Sequence, residues 1–116
     1  MNQKYRLKSS SEIRNLKQAG VSLTNPLLVL VILPNQKDQT KIAVIASRSV
    51  GNAVQRNRCK RLLRASISIH LDEIASGYNI LLIARNRLLE AKFDDVCKAT
   101  KTLLVKGKLL RDPGNT

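Results

Sequence analysis

The feature that most limits the fold of this chain is the uninterrupted apolar run from Leu27 to Leu33, which lies between Pro26 and Pro34. Its seven residues fall far short of the ~18 that a membrane-spanning helix needs. A short apolar run that ends at a proline is typical of a buried strand. No longer apolar run exists, and the N-terminus lacks the apolar core of a signal peptide. The sequence therefore predicts a soluble, cytoplasmic protein.

Two further apolar segments, at 41–46 and 78–84, predict two more strands. Only the polar stretch 35–39 separates the first strand from the second. Because a short loop usually joins neighbouring antiparallel strands, these two strands are expected to pair with each other.

Three helices are predicted around the strands. The first follows the N-cap signal Ser9-Ser10-Ser11-Glu12 and stops at Gly20, and the last shows apolar residues at a 3.6-residue period. The second and third cover about 53–70 and 88–106, and 107–116 is predicted to be a frayed tail. This order implies a single-domain α/β sandwich (α+β) over residues 1–116, with helices packed on one sheet.

The charge of the chain is strongly unbalanced. Lys and Arg number 21 and Asp and Glu number 8 among 116 residues, for a net charge of +13. No acidic residue occurs between Gln39 and Leu71. An excess of lysine that only kept the protein soluble would mix the two signs along the chain. The separation instead favours a polyanionic partner, of which nucleic acid is the commonest.

The second predicted helix concentrates this charge. At about 100° per residue, one half of its wheel is apolar and the other basic, and Arg58 falls inside the apolar arc. Like charges four residues apart cost a few tenths of a kcal/mol each, and no acid offsets them. Phosphate is the expected counter-charge, although a solvated face or a helix in a DNA groove stays possible at this point. The apolar half holds Val54, Cys59, Leu62, Leu63, Ala65 and Ile69; the basic half holds Arg56, Asn57, Lys60, Arg61 and Arg64.

No protein-borne active site is predicted. His70 is the only histidine, and the two cysteines, Cys59 and Cys97, are too few for a disulfide scaffold or a zinc site. Cys59 is expected to be a small core residue. Asp94 and Asp95 are adjacent on a helix and point about 100° apart, so they are not expected to chelate a metal together.

The segment from Ser47 to Arg64 resembles the signature of the bacterial ribonuclease P protein subunit family. Both have a basic, serine-containing turn, then Gly-Asn-Ala-Val, then Arg-Asn-Arg-x-Lys-Arg-Leu-x-Arg on a helix. Arg6-Leu7-Lys8 before the first helix and Ile83-Ala84-Arg85 at the end of a strand extend the likeness. A second Arg-Asn-Arg, at 85–87, lacks the flanking motif, so only its first arginine counts toward the resemblance.

The resemblance implies a ribosomal-protein-like fold. Its order is α-β-β-β-α-β-α, with one mixed sheet of about four strands, a short extra edge strand near 21–23 and a left-handed β-α-β crossover. It also implies a protein subunit that binds the catalytic RNA of ribonuclease P and the 5′ leader of precursor tRNA, and so assists 5′-end maturation. Catalysis would belong to the RNA and its Mg²⁺ ions, and neither a membrane nor DNA would be a partner.

The resemblance further implies which residues meet RNA. The alternative, a plain RNA-binding or ribosomal-type protein of related fold, is disfavoured by the length of the motif. The family usually carries aromatic residues at three cleft positions that hold Ile13, Lys17 and Val31 here, which removes platforms for base stacking. The implied RNA-binding residues are Arg48, Arg56, Asn57, Arg58, Lys60, Arg61 and Arg64, and a leader cleft between the sheet and the first helix would use Lys8, Ile13, Lys17 and Val31.

Overall fold

The computed structural model describes residues 3–110 and contains one four-stranded sheet with three helices packed on it. The strands are β1 (Val21–Thr24), β2 (Leu28–Pro34), β3 (Lys41–Ile45) and β4 (Tyr78–Ala84). The helices are α1 (Ser10–Ala19), α2 (Ala53–Ser68) and α3 (Phe93–Lys106), and single 3-10 turns cover Gln3–Tyr5, Arg48–Val50 and Asn86–Glu90. The predicted order α-β-β-β-α-β-α and the extra edge strand are confirmed.

The sheet order is β1-β2-β4-β3, so the predicted pairing of β2 with β3 is wrong. β4 lies between them, antiparallel to β2 and parallel to β3. Its central residues Ile80, Leu81 and Leu82 are fully buried, which is possible only for a strand covered on both faces. The loop after β2 needs to cross only two strand spacings, about 10 Å, to reach the far side of β4. The left hand of the β3-α2-β4 crossover stays a prediction.

Each face of the sheet packs against different helices. α2 and α3 cover one face and build the larger core with residues such as Cys59, Leu63 and Leu104. α1 and the N-terminal segment cover part of the other face, where Leu7 and Leu16 pack on Val31, Ala43 and Leu81. The second face is only partly covered, so an apolar strip of sheet remains beside α1.

Two predicted boundaries change at the C-terminal end. The third helix begins at Phe93 rather than Leu88, because the preceding residues form a 3-10 turn that buries Leu88. The prediction of a frayed tail is wrong for residues 107–110, because Leu109 and Leu110 are buried in the larger core. Residues 111–116 lie outside the described part of the chain.

Candidate nucleic-acid interface

The start of α2 is fixed by a capping box, which sets the position of the basic motif. The Gln55 backbone N–H donates to Asn52 Oδ1 at 2.9 Å, and the Asn52 backbone N–H donates to Gln55 Oε1 at 2.9 Å. Gly51 precedes the box with φ 153°, and a Cβ there would lie only 2.9 Å from Gln55 Cδ. The Gly-Asn of the motif is therefore a structural requirement for the turn that starts the helix.

Replacing Asn52 with alanine is expected to destabilise the protein by about 1 kcal/mol, because the Gln55 backbone N–H at the helix start loses its acceptor, Asn52 Oδ1. For a domain of this size, the melting temperature should fall by about 4–8 °C. Asn57→Ala, on an exposed position of the same helix, is the matched control and should leave the melting temperature nearly unchanged. Equal melting curves for wild type and Asn52→Ala would contradict the capping role.

The buried face of α2 differs from the predicted apolar half. Val54 is 75% exposed and Ile69 is 59% exposed, and Arg58 is exposed beside them rather than bordering the core. Ser66 is buried instead, since its hydroxyl donates to the Leu63 carbonyl at 2.8 Å and shares a 3.0 Å hydrogen bond with Thr100 Oγ1 of α3. The buried face is rotated from the predicted one because Ser66, whose hydroxyl is hydrogen-bonded, occupies a core position. The buried face consists of Cys59, Leu63, Ser66 and Ile67.

The predicted RNA-binding residues form two groups that differ in their exposure to solvent. Those on the outer side of α2 and in the preceding turn are exposed, whereas a row at a spacing of four residues is half-buried along one flank of the helix. Half-burial strengthens the interaction of a guanidinium with an anion, because less water competes for it. The exposed group is Arg48, Asn57, Arg58 and Arg61, and the half-buried row is Arg56, Lys60 and Arg64.

A cavity of about 180 Å³ joins the end of that row to the N-terminal segment. The segment reaches it because the Leu7 N–H donates to the Ile42 carbonyl at 2.8 Å, which adds one bridge to the outer edge of β3. The side chain of Leu7 is buried in the core, and its sequence neighbours Arg6 and Lys8 both line the cavity. The cavity is lined by Arg6, Leu7, Lys8, Ile13, Ile42, Ala43, Val44 and Arg64.

The electrostatics of this cavity favour an anion. None of its lining residues is acidic. Arg6 Nε is buried and has no hydrogen-bond partner within the described residues. Burial, together with the positive charge of Arg6, lowers the pKa of Arg64. A phosphate in the cavity would supply the counter-charge that Arg6 and Arg64 lack there.

The predicted cleft residues are only partly brought together. Lys8 and Ile13 line the cavity with Arg64, whereas Lys17 is exposed on α1 and lines none of the described cavities. Val31 is 2% exposed in the core beneath α1, so it offers no surface to a ligand and its assignment to the cleft is corrected. Arg6 was missed as a site residue, although its alternation with buried Leu7 was visible in the sequence.

The sheet surface beside α1 is formed by three residues that were not among the predicted cleft residues. Val29 pairs with Ile83, and Ile83 pairs with Ile45, so the three side chains form a row across β2, β4 and β3. They are half-buried and lie on the same face as the core under α1. These three aliphatic side chains form the cleft floor, the part of the sheet surface beside α1 that the described helices leave uncovered.

Within residues 3–110, no three His, Cys, Asp or Glu side chains lie together as a metal site requires. Burial raises the pKa of the Cys59 thiol, against the opposing charge of Arg58, as expected for a core cysteine. Across the same residues, no helix is long and apolar enough to cross a membrane.

These features define a class: a small basic α+β protein with one partly open sheet face and a cation-rich helix. A family model described as Ribonuclease P matches residues 1–108. The ribonuclease P protein component of Clostridium botulinum (strain Eklund 17B) is 34% identical, with 96% of this chain and 94% of the relative covered. That of Clostridioides difficile is 37% identical, with 84% and 87% covered.

Solved structures agree with the sequence relatives. The Staphylococcus aureus RNase P protein superposes with a TM-score of 0.83 at 25% identity, covering 92% of this chain and 98% of that one. The Thermotoga maritima RNase P protein gives a TM-score of 0.79 at 27% identity, covering 87% and 96%. The chain belongs to the bacterial ribonuclease P protein component family, whose members are the protein subunits of the tRNA-processing endoribonuclease. The resemblance found in the sequence is confirmed.

Proposed function

We propose that this chain is a cytoplasmic RNA-binding protein that contacts the catalytic RNA of ribonuclease P through α2 and the 5′ leader of precursor tRNA through the cleft beside α1. The observation that carries the proposal is the meeting of Arg6, Lys8 and Arg64 at one cavity without an acidic neighbour. Guanidinium groups bind phosphate through paired hydrogen bonds, so these residues would hold the RNA backbone. Neither DNA nor a membrane is proposed as a partner.

Magnesium fits the RNA rather than this protein surface. Mg²⁺ prefers carboxylate and phosphate oxygens, whereas the cavity is lined by cations and aliphatic groups. When bound to the RNA subunit, Mg²⁺ would supply the activated water and the charge stabilisation for phosphodiester cleavage. The residues of this chain would instead neutralise phosphates near the cleavage site and hold the leader in place.

The leader would be recognised mainly through its backbone. The cleft floor of Val29, Ile45 and Ile83 is aliphatic and carries no stacking platform. A base stacked on an aromatic side chain gains ~1–3 kcal/mol, which this floor does not provide. Affinity for the leader should therefore depend little on base identity and strongly on phosphate contacts.

The test of this function is reconstitution with a bacterial ribonuclease P RNA at a Mg²⁺ concentration too low for the RNA to act alone. We expect the purified protein to restore 5′ cleavage of precursor tRNA, because its cations replace part of the missing ionic screening. Protein incubated with substrate and Mg²⁺ alone should give no 5′ processing. Binding of the RNA without stimulation would favour a plain RNA-binding protein, and cleavage by repurified protein alone would contradict the proposal.

A further inference from the structure

A separate cavity lies on the flank of α1 that is turned away from the cleft floor. α1 packs on the middle of the sheet face, where Leu16 contacts the core around Val31 and Leu81. Val29 of the cleft floor precedes Val31 on the same face of β2 and Leu33 follows it, so Leu33 lies beyond α1. The cavity there has a volume of about 300 Å³, at the lower end of the ~300–1,000 Å³ usual for ligand sites. Its lining includes Glu12 and Asn15 of α1, Leu33 and Pro34 of β2, Lys37 of the following loop and Asn79 of β4.

The amide of Asn79 is oriented by a hydrogen-bond network. Asn35 Oδ1 accepts the Lys37 backbone N–H at 2.8 Å, and Asn35 Nδ2 donates to the Gln39 carbonyl at 2.9 Å. The same Nδ2 donates to Asn79 at 3.1 Å, so Asn79 must present its Oδ1 to Asn35. Asn79 Nδ2 then keeps its hydrogens, with no acceptor among residues 3–110. The cavity therefore contains a hydrogen-bond donor in a fixed position.

Glu12 supplies an acceptor to the same cavity. It is half-buried, whereas every other acidic residue in the described part of the chain is exposed. Its backbone N–H donates to Ser9 Oγ at 3.3 Å, but its carboxylate makes no hydrogen bond or ion pair with any residue from 3 to 110. An ionised carboxylate only accepts hydrogen bonds, and its two oxygens can accept from two parallel N–H groups. The Glu12 carboxylate is therefore available to a ligand with paired donors.

A guanine ring has the complementary set of polar atoms. It is the only one of the four RNA bases with two adjacent N–H donors, at N1 and N2, and its O6 acceptor lies beside them on the same edge. Unpaired bases are commonly read by hydrogen bonds to this edge. Leu33 and Pro34 give the cavity an apolar wall against which a flat ring can pack. Lys37 is exposed, and its ammonium group has no partner within the described residues, so it is available to a phosphate.

We propose that this cavity, the guanine pocket (Glu12, Lys37 and Asn79), binds a guanine nucleotide. Glu12 accepts hydrogen bonds from N1 and N2, Asn79 Nδ2 donates to O6, and Lys37 pairs with the phosphate. The nucleotide is either an unpaired guanosine of an RNA or a free guanine mononucleotide. Guanine binding here goes beyond the proposed function, because α1 separates the pocket from the cleft floor and no catalytic RNA is needed to detect it.

The first test is a titration of the purified full-length protein with guanosine 5′-monophosphate (GMP), followed by NMR at the side-chain amide of Asn79. We expect a saturable shift of these resonances. Inosine 5′-monophosphate lacks only the N2 amino group, so its Kd should be about ten- to a hundredfold higher, as expected when one hydrogen bond to a charged group is lost. Adenosine 5′-monophosphate should leave the resonances in place. Equal Kd values for the three nucleotides would indicate phosphate binding alone and would overturn the guanine pocket.

Two variants assign the effect to named atoms. Glu12→Gln keeps the size of the side chain but replaces one acceptor oxygen with a donor, and should raise the Kd for GMP about ten- to a hundredfold. Asn79→Asp keeps an oxygen for Asn35 and replaces the donor to O6 with an acceptor, so it should weaken GMP binding as well. Melting curves of both variants check that they fold.

Glu73→Gln is the matched control, because Glu73 is exposed and lines none of the described cavities. It raises the net charge by one, as Glu12→Gln does, so a general attraction to anions would be strengthened equally in both variants. We expect the Kd of Glu73→Gln for GMP to equal that of the wild type. Unchanged GMP binding by folded Glu12→Gln and Asn79→Asp would overturn the guanine pocket.

Short single-stranded oligonucleotides distinguish the two sources of guanine. An adenosine oligomer with one central guanosine is compared with an oligomer of adenosine alone, at fixed salt. A preference of about tenfold for the guanosine oligomer, abolished by Glu12→Gln, assigns the pocket to RNA. Saturable binding of GMP without this preference assigns it to the free nucleotide, and the absence of both overturns it. Since neither assay contains the catalytic RNA, failure of the guanine pocket leaves the reconstitution of cleavage as a separate test of the proposed function.

Discussion

Arg58→Ala is expected to weaken binding of ribonuclease P RNA by about ten- to a hundredfold while leaving the fold intact. A hydrogen-bonded contact between an arginine and a phosphate contributes ~1.5–3 kcal/mol. Arg58 is exposed on α2, away from the core residues Cys59 and Leu63, so its loss should not disturb packing. The Kd of the purified variant for the catalytic RNA, measured at fixed salt, checks the expectation.

Two further variants make this result specific. Lys106→Ala removes an exposed cation outside the motif and should change the Kd less than twofold, as expected for a single screened surface charge. Arg56→Ala should weaken binding as well, but Arg56 is half-buried and its Nε lies 3.4 Å from the Asn52 carbonyl, so its melting temperature must be measured too. Equal Kd values for Arg58→Ala and Lys106→Ala would show that the RNA does not meet a focused site on α2.

The strands could be predicted from the sequence, but their pairing could not. The apolar runs that end at Pro34 and Ala84 mark strands, because local composition decides whether a segment is buried. Strand order depends instead on which arrangement covers every apolar face. β4 needs cover on both faces, and that need places it between β2 and β3 in spite of the short loop joining them.

The rotation of α2 about its axis shows a second limit of prediction from local sequence pattern. A wheel places serine with the polar residues and valine with the apolar ones. Here Ser66 is buried because Thr100 of α3 satisfies its hydroxyl, and Val54 is exposed because nothing in the described chain covers that side. The bonding partner lies 34 residues away, so no local pattern could reveal it. Arg58, which the wheel placed next to the core, is therefore an exposed cation.

The site residues that lie together in a sequence motif could be predicted. Those that only the fold brings together could not. The residues from Arg48 to Arg64 are contiguous in sequence and so were recognised together. Arg6 meets Arg64 only because the N-terminal segment bridges to β3.

The basic residues are the main groups through which this protein could bind RNA. The aliphatic floor beside α1 offers no aromatic surface, and α2 carries the exposed cations Arg58 and Arg61 beside the half-buried row of Arg56, Lys60 and Arg64. Binding should therefore be driven largely by the release of counterions from RNA phosphates. The free energy of such binding depends on the salt concentration far more than that of stacking or base-specific contacts.

We expect the affinity for single-stranded RNA to fall steeply with salt. Six cations are predicted to contact RNA, at Arg48, Arg56, Arg58, Lys60, Arg61 and Arg64. If each neutralises one phosphate, a plot of log K against log salt should have a slope near −4, at about −0.7 per contact. A tenfold rise in monovalent salt would then lower the affinity by about 10⁴-fold. Arg58→Ala should flatten the slope by about 0.7, whereas Lys106→Ala should keep the wild-type value. A wild-type slope near zero would mean that the cations of α2 do not face the RNA, since no other mechanism would leave six phosphate contacts insensitive to salt.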